Sequence, residues 1–138
     1  MNAIYTATAT SYGGGRAGHV ETTDGKVTLD LAYPKEIGGS GRGTNPEQLA
    51  AMGYAACFAS ALERIAVAAE VSTANARVSC RVALSGNDRE GYRLSFSVTV
   101  VDPSLPHQHL EELVAKAHAL CPYSRAFGEG APTEAHAV

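Results

Sequence analysis

The sequence predicts an α+β fold with largely antiparallel sheets, in a single domain that spans residues 1–138. Strand-like and helix-like segments follow one another in the order strands, helix, strands, helix. That order is typical of α+β proteins and disfavours a doubly wound α/β fold. The chain has 138 residues, which is long enough to bury one hydrophobic core.

Composition and charge narrow the classes of function. The net charge is −3 without a basic run, which disfavours nucleic acid as a partner. No signal-peptide pattern is present, and the longest charge-free apolar segment is shorter than the ~20 residues of a membrane span. Three cysteines without a CxxC pair disfavour a disulfide framework and a zinc ribbon. We expect a cytoplasmic protein with no membrane partner, bound cofactor or metal.

The first elements are predicted to be strands. Residues 3–11 alternate Ile and Thr with other residues, which is a strand pattern. A flexible glycine-rich loop that carries Arg16 follows. Residues 19–34 are predicted to form a hairpin, because Asp24-Gly25 favours a two-residue type I′ turn between alternating apolar residues.

A long apolar helix is predicted to end near Glu70. Either Thr44 or Asn45 can cap it, and Thr44 and Glu47 have the spacing of a capping box. Its apolar face comprises Tyr54, Phe58, Ala61, Leu62 and Ile65, and small residues occupy much of the rest at Ala50, Ala51, Gly53, Ala55, Ala56 and Ala59. A helix that is apolar nearly all round is buried on more than one side. We therefore expect a homodimer in which a second copy covers one side.

A second hairpin and a second helix are predicted after it. Apolar residues alternate over residues 77–101, interrupted by GNDREG, which predicts two strands with one buried face. The amphipathic helix that follows is expected to stop near Leu120, because Pro122 pushes Cys121 out of the helical region. Pro122 then begins a new helical turn with Cys121 at its N-cap. A short final strand is expected over residues 134–138.

Each of the three cysteines can have one of two roles, packing in the core or reacting as a thiol. Cys80 lies between apolar strand residues and is expected to pack in the core. Cys121 is either favoured as a thiolate by a helix N-terminus or lies at that junction without a chemical role. Cys57 lies in the middle of the apolar helix, where burial would keep it an inert thiol.

A nucleophilic Cys57 needs a cation from outside its helix, which supplies none nearby. Arg16, Arg42 and Arg125 are the candidates, and Glu47 can orient such a guanidinium. Glu47 and Cys57 are ten residues apart, which is ~15 Å along a straight helix. Either the helix bends near its central glycine, or the cation and Glu47 serve Cys57 of a second subunit.

Three motifs, "YTATAT…GGR", "TNPEQL…GYAACF" and "CPYS", make the chain resemble the organic hydroperoxide resistance (Ohr) family within the wider Ohr/OsmC group. The resemblance runs from about Tyr5 to Ser124. It implies an OsmC-like fold with antiparallel sheets around two central buried helices in an intertwined homodimer. It also implies a thiol-dependent peroxidase that reduces organic and fatty-acid hydroperoxides.

The resemblance also assigns roles by position. Cys57 matches the peroxidatic thiol, Cys121 the resolving thiol, Arg16 the activating arginine and Glu47 the carboxylate that holds it. A Cys57–Cys121 disulfide would be reduced by an external dithiol, such as dihydrolipoamide on a lipoylated protein. The expected apolar lining for the substrate comprises Tyr54, Phe58, Tyr123, Met52 and Phe127.

The chain departs from the family after its second motif. The family usually continues as "CPYSNAT", whereas this chain has "CPYSRAF", with Arg125 as an added cation. Three alternatives remain open: an OsmC-type peroxidase of broader range, a redox-sensing or binding module without catalysis, and a structural dimer with inert thiols. The scattered histidines make a metal site or a cysteine hydrolase weaker alternatives.

Overall fold

The computed structural model describes residues 2–130 and 133–136, which contain two antiparallel sheets and three α-helices. This confirms the predicted α+β class. The strands are β1 (Ala9–Tyr12), β2 (His19–Thr22), β3 (Thr28–Asp30), β4 (Arg77–Asn87) and β5 (Gly91–Val101). The α-helices are α1 (Pro46–Ala68), α2 (His107–Leu120) and α3 (Pro122–Glu129). The chain divides into two units, Met1–Leu49 and Ala50–Val138, with the boundary inside α1.

The first unit is built on a three-stranded antiparallel sheet in the order β1-β2-β3. The predicted β2–β3 hairpin is present, but its turn differs from the two-residue type. Gly25 donates its amide to the carbonyl of Thr22 at 2.9 Å, so Asp24 and Gly25 are the third and fourth residues of the turn. Gly25 has φ of 70°, a conformation that favours glycine.

The first strand is shorter than predicted. β1 begins at Ala9, which pairs with Thr22 at the end of β2. Thr8 still accepts a hydrogen bond from the amide of Thr23 at 3.0 Å, but β2 has turned away beyond this point. The alternating residues before Thr8 therefore have no strand to pair with there, and Ile4 is fully exposed. An alternating pattern alone does not supply a neighbouring strand.

The first turn of α1 is capped by Asn45. Its side-chain Oδ1 accepts a hydrogen bond from the amide of Gln48 at 2.9 Å. Thr44 instead donates its hydroxyl to the Gln48 side chain at 2.8 Å. The predicted capping box between Thr44 and Glu47 is therefore wrong, and the Glu47 carboxylate is available for another contact.

The second unit packs α1 and α2 against the β4–β5 hairpin. The hairpin runs in register from Arg77 opposite Val101 to Asn87 opposite Gly91, as the sequence predicts. The core cluster of this unit comprises Tyr54, Phe58, Ala61, Leu62, Leu113, Ala117 and Cys121. Cys80 packs against this cluster from β4, in agreement with the packing role expected for it.

The far end of the β4–β5 hairpin is more exposed than predicted. Phe96, Val98 and Val100 pack against the core cluster. Tyr92 and Leu94, which belong to the same alternating set, are exposed at 59% and 45%. The predicted buried face of the hairpin is therefore buried only near its base.

Helix α1 has 23 residues and is longer than its charge-free segment. By length and composition alone it could cross a membrane, a test that the core helices of soluble proteins also pass. Its buried residues, which include Tyr54, Phe58 and Leu62, belong to the core cluster of the second unit. We therefore assign it as a core helix, as the sequence predicts.

The C-terminal strand expected over residues 134–138 is not present where the structure describes that segment. Residues 133–136 have no regular secondary structure. Residues 131, 132, 137 and 138 lie outside the described residues. Glu134 and His136 hydrogen-bond to each other at 3.2 Å, a local contact that requires no strand.

Candidate active site

The first unit holds an arginine–carboxylate pair. Arg16 donates two hydrogen bonds to Glu47, one from Nη1 to Oε2 at 2.7 Å and a second from Nη2 to Oε1. The donation by Arg16 is the largest influence on Glu47 and holds its pKa below the ordinary value. Bidentate pairing fixes the plane of a guanidinium as well as its position. The structure thus brings together the two residues for which the resemblance implies such a pair.

The glycine-rich loop positions Arg16 within a single 3₁₀ turn, Gly15–Ala17. The loop closes tightly on itself, since a Cβ at Gly18 would lie 1.6 Å from the carbonyl oxygen of Gly13. Gly14 enters the turn with φ of 68°, in the left-handed region. Glycine is therefore required at these positions for the chain to turn back and present Arg16 to the start of α1.

The second unit brings two thiols together. The Sγ atoms of Cys57 and Cys121 lie 3.7 Å apart, with the Cys121 thiol as donor, and both cysteines are reduced. Cys57 comes from the middle of α1, whereas Cys121 lies at the junction of α2 and α3. Cys121 is fully buried, and Cys57 is partly exposed. A disulfide requires an S–S distance of ~2.05 Å, so a movement of about 2 Å would join them.

The junction that places Cys121 follows the rules of helix ends. Cys121 has φ of −65° and ψ of 123°, an extended conformation that ends α2 and serves as the N-cap of α3. Its amide donates to the carbonyl of Ala117 at 2.8 Å, and its carbonyl accepts from the amide of Arg125 at 3.1 Å. Pro122 occupies the first position of α3, where no amide hydrogen is needed. This confirms the predicted junction.

The first turn of α3 contacts Cys57. Burial is the largest influence on the Cys57 thiol and raises its pKa, while a hydrogen bond from the backbone amide of Tyr123 acts in the opposite direction. The neighbouring Cys121 thiol also raises the pKa of Cys57. The sequence left open whether the N-terminus of α3 acts on Cys121, and it predicted that no helix terminus helps Cys57. The structure corrects the prediction for Cys57, because the backbone amide of Tyr123, in the first turn of α3, acts to lower its pKa.

An aromatic cluster lies beside the two thiols. Tyr54 is its centre, with ring centroids 5.8 Å from Tyr123, 5.8 Å from Phe96 and 5.5 Å from Phe127. Phe96 and Phe127 stack at 4.0 Å with nearly parallel planes. The Tyr54 hydroxyl donates to Oγ of Ser124 at 2.9 Å in a buried position. These contacts fix α3, and with it the Tyr123 amide, against α1.

Four of the five residues predicted to line the substrate site join this cluster. Tyr54, Tyr123 and Phe127 contact one another, and Phe58 lies 6.4 Å from Tyr54. Met52 is 56% exposed and lies outside the core cluster. Phe96 belongs to the cluster but was expected only as a strand residue of the buried face. Its alternating pattern gave no sign of its aromatic partners.

A small cavity opens on Cys57. Its volume is about 250 Å³, and it is lined by Cys57, Ser60, Ala61, Arg64, Leu120 and Pro122. We expected α1 to supply no cation near Cys57. Arg64 is seven residues further along, and two helical turns place it on the same face as Cys57. The spacing of seven was the signal that could have revealed it.

Comparisons with known proteins identify the family. The family model described as OsmC-like protein matches residues 39–136. The chain belongs to the OsmC-like family. One relative, Organic hydroperoxide resistance protein-like 2 of Staphylococcus epidermidis, is 42% identical over 127 residues, which cover 91% of this chain and 89% of the relative.

Solved structures of the OsmC-like family share the fold. An organic hydroperoxide resistance protein OsmC from Legionella pneumophila is 45% identical with a TM-score of 0.86, covering 94% of this chain and 93% of that one. The organic hydroperoxide resistance protein OhrB of Bacillus subtilis is 37% identical with a TM-score of 0.80, covering 91% and 93%. They confirm the OsmC-like fold and the resemblance inferred from the three motifs.

The other two candidate cations of this OsmC-like chain, Arg42 and Arg125, are exposed. Arg125 forms an ion pair with Glu129 one turn further along α3, at 3.5 Å and on an exposed surface. Arg42 is exposed in the connector before α1. Among residues 2–130 and 133–136, no group of three His, Cys, Asp or Glu side chains is placed to hold a metal ion.

Proposed function

We propose that this chain is a thiol-dependent peroxidase that reduces organic hydroperoxides to alcohols through Cys57 and Cys121. The observation that carries the proposal is the 3.7 Å separation of the two sulfur atoms. The names of the relatives, which refer to resistance to organic hydroperoxides, support the substrate class. The cavity that opens on Cys57 has apolar walls at Ala61, Leu120 and Pro122, which supports an apolar substrate over hydrogen peroxide.

In the first step the Cys57 thiolate attacks the distal oxygen of the hydroperoxide. The O–O bond breaks, Cys57 becomes a sulfenic acid, and the alkoxide takes up a proton and leaves as the alcohol. The Tyr123 amide stabilises the thiolate by donating to it. Burial opposes this ionisation, so a cation is needed to complete the activation.

In the second step Cys121 resolves the sulfenic acid. Its sulfur attacks Cys57 Sγ, a disulfide forms, and the hydroxyl leaves as water after taking up the Cys121 proton. The burial of Cys121 supports this role, because a fully buried thiol reacts with Cys57 rather than with a peroxide in solution. Disulfide formation also protects Cys57 from further oxidation.

A dithiol then restores the two thiols. One thiolate of the reductant attacks Cys57, which is the more accessible sulfur, and Cys121 leaves. The second thiol of the reductant closes its own disulfide and releases Cys57. Dihydrolipoamide on a lipoylated protein is the reductant that the family resemblance implies. We place this cycle in the cytoplasm, where the reducing conditions keep such dithiols available.

Arg16, held by Glu47, is proposed as the cation for Cys57. The pair is preformed and bidentate, which supports a positioning role for the carboxylate. Helix α1 continues through Gly53 as α-helix from Pro46 to Ala68. The unbroken helix favours the arrangement in which Arg16 and Glu47 serve Cys57 of a partner subunit.

The exposed side of α1 supports the homodimer on which that arrangement depends. A groove of about 580 Å³ runs beside the small residues of α1, including Ala55, Ala56 and Ala59. Val67 is 69% exposed at the end of the helix. Small side chains permit close approach of a second helix, and a two-fold axis would cover both copies of this surface at once.

Steady-state turnover tests the proposed function. We expect cumene hydroperoxide to be consumed with dihydrolipoamide and not with glutathione, and Cys57→Ser to abolish turnover while Cys80→Ser, the matched control, retains it. A Cys57–Cys121 disulfide that forms once without turnover with any dithiol would instead favour a redox-sensing module. Equal rates with hydrogen peroxide would favour a broader OsmC-type peroxidase.

A further inference from the structure

One face of α1 carries both the Cys57 thiol and the guanidinium of Arg64. The residues on this face form a stripe along the helix. The cavity that opens on Cys57 is lined by four α1 residues at positions i, i+3, i+4 and i+7, namely Cys57, Ser60, Ala61 and Arg64. These positions share one face of a helix. Leu120 and Pro122, at the junction of α2 and α3, form the opposite wall. The two central members of the stripe are small, so the space between sulfur and guanidinium is open.

In the part of the chain that the structure describes, Arg64 has no carboxylate partner. Among the ion pairs of the described residues none includes Arg64, and no hydrogen bond of its side chain occurs there. Its sequence neighbour Glu63 lines the separate groove on the dimer-facing side of α1 rather than this cavity. A guanidinium without a partner at the end of an apolar cavity is suited to an anionic group of a ligand.

From this arrangement we infer that Arg64 binds an anionic group, such as a carboxylate, on the hydroperoxide that reacts at Cys57. The inference rests on the proposed function and narrows its substrate class. Helical side chains lean towards the N-terminus, so the Arg64 guanidinium covers the turn at Ser60 and Ala61 on the side of Cys57. Arg64 is thus a specificity-determining residue for an apolar hydroperoxide that carries a negative charge.

The span of the stripe limits the length of such a substrate. Cys57 and Arg64 are separated by ~10 Å of helix rise, and the side chain of Arg64 shortens this distance. The hydroperoxide and the anionic group must therefore lie within about 10 Å of each other. The walls between them are Ala61, Leu120 and Pro122, which suit an apolar connecting segment.

A matched pair of probes tests this inference. Cumene hydroperoxide with a para-carboxylate and the methyl ester of the same compound differ in charge but share the reacting group. We expect Arg64→Gln to lower kcat/KM for the carboxylate about 2- to 5-fold, the range for an ion pair at an exposed arginine. For the methyl ester, kcat/KM should change less than twofold in Arg64→Gln. Arg64→Lys should recover part of the loss. Added salt should make the loss in Arg64→Gln smaller, because salt screens the interaction between the two charges.

The control variant is Arg81→Gln, which removes an exposed arginine from β4 and matches the change in net charge. It should leave the ratio of the two kcat/KM values unchanged. Equal effects of Arg64→Gln on both probes, or the same change of ratio in Arg81→Gln, would overturn the assignment. A wild-type protein without preference for the carboxylate would overturn it as well.

Binding of the unreactive alcohol products separates this inference from the proposed function. We expect the carboxylated cumyl alcohol to bind more tightly than its methyl ester, measured by calorimetry, with the difference lost in Arg64→Gln. This measurement requires no turnover, so it decides the role of Arg64 even if the chain reduces no hydroperoxide. Equal affinity for the two alcohols would contradict the inference, while absent turnover with intact discrimination would contradict only the proposed function.

Discussion

The backbone amide of Tyr123 acts to lower the pKa of the Cys57 thiol, which links the start of α3 to the middle of α1. The contact gives Cys57 a donor that its own helix cannot supply, because the amides of a helix interior are already paired. Tyr123 is held in this position by its ring, which contacts Tyr54 and Phe127. The reactivity of Cys57 thus depends on the packing of the aromatic cluster.

The first prediction concerns Gly53, over which the Tyr123 ring lies. A Cβ at this position would approach the Tyr123 hydroxyl oxygen to 2.8 Å, so the ring must shift in Gly53→Ala. Replacing glycine by alanine inside a helix usually raises the free energy of unfolding by up to ~1 kcal/mol. In Gly53→Ala this gain should be reduced or lost. The Cys57 pKa should rise as the amide moves, which thiol alkylation against pH measures.

Gly128→Ala is the matched control for this prediction. Gly128 also lies in a helix, α3, and a Cβ there would meet nothing within 4 Å. We expect it to keep the helical gain in the free energy of unfolding and to leave the alkylation profile unchanged. Equal stabilisation by both variants, with identical profiles, would show that Tyr123 does not depend on Gly53.

The second prediction concerns the buried hydrogen bond between Tyr54 and Ser124. Tyr54→Phe removes the donor and leaves the Ser124 hydroxyl buried without it, which should destabilise the chain by about 1–3 kcal/mol. Tyr33→Phe, at an exposed position, should change the free energy of unfolding by less than ~0.5 kcal/mol. Urea unfolding measures both, and a similar small effect at the two positions would rule out a stabilising role for this bond.

The third prediction concerns the pH dependence of stability. Arg16 lowers the folded pKa of Glu47, so the pair contributes stability above the unfolded pKa of ~4.3 and loses it as the pH falls through the folded value. The stability difference between wild type and Glu47→Gln should therefore be largest near neutral pH and shrink in acid. Glu129→Gln, which removes an exposed pair with Arg125, should show little difference at any pH. A constant difference for Glu47→Gln across this range would contradict the linkage.

The fourth prediction concerns the proposed activation of Cys57 by Arg16. In Arg16→Ala the pKa of Cys57 should rise, because the thiolate loses the positive charge that offsets its burial. The rate of alkylation at neutral pH should fall, and its pH profile should move to higher pH. Arg42→Ala, an exposed arginine in the same unit, serves as the control. An unchanged profile in Arg16→Ala would remove Arg16 from this role.

The rules for helix ends were sufficient to predict structure where neighbouring residues alone determine the backbone conformation. The end of α2, the N-cap at Cys121 and the start of α3 all follow from Pro122 and were predicted. The predicted strand before Ala9 was wrong because its pattern required a neighbour that β2 does not provide. Register and strand partners depend on the whole sheet, and a single segment does not contain that information.

The candidate site was predictable only in part, because its contacts join distant segments. Cys57 and Cys121 are separated by 64 positions, and their pairing came from the family resemblance rather than from spacing. The contact of the Tyr123 amide with Cys57 depends on how α3 packs on α1, which no local pattern encodes. Arg64 was missed although helical periodicity places it on the face of Cys57.

The disulfide state after oxidation tests the central claim most directly. The wild-type protein is treated with one equivalent of cumene hydroperoxide, and its cysteines are mapped by mass spectrometry without reduction. We predict a Cys57–Cys121 disulfide with Cys80 still reduced, and a trapped Cys57 sulfenic acid in Cys121→Ser. If Cys57 and Cys121 remain reduced, or if Cys80 supplies one of the bonded sulfurs, the two-cysteine account of this chain is contradicted.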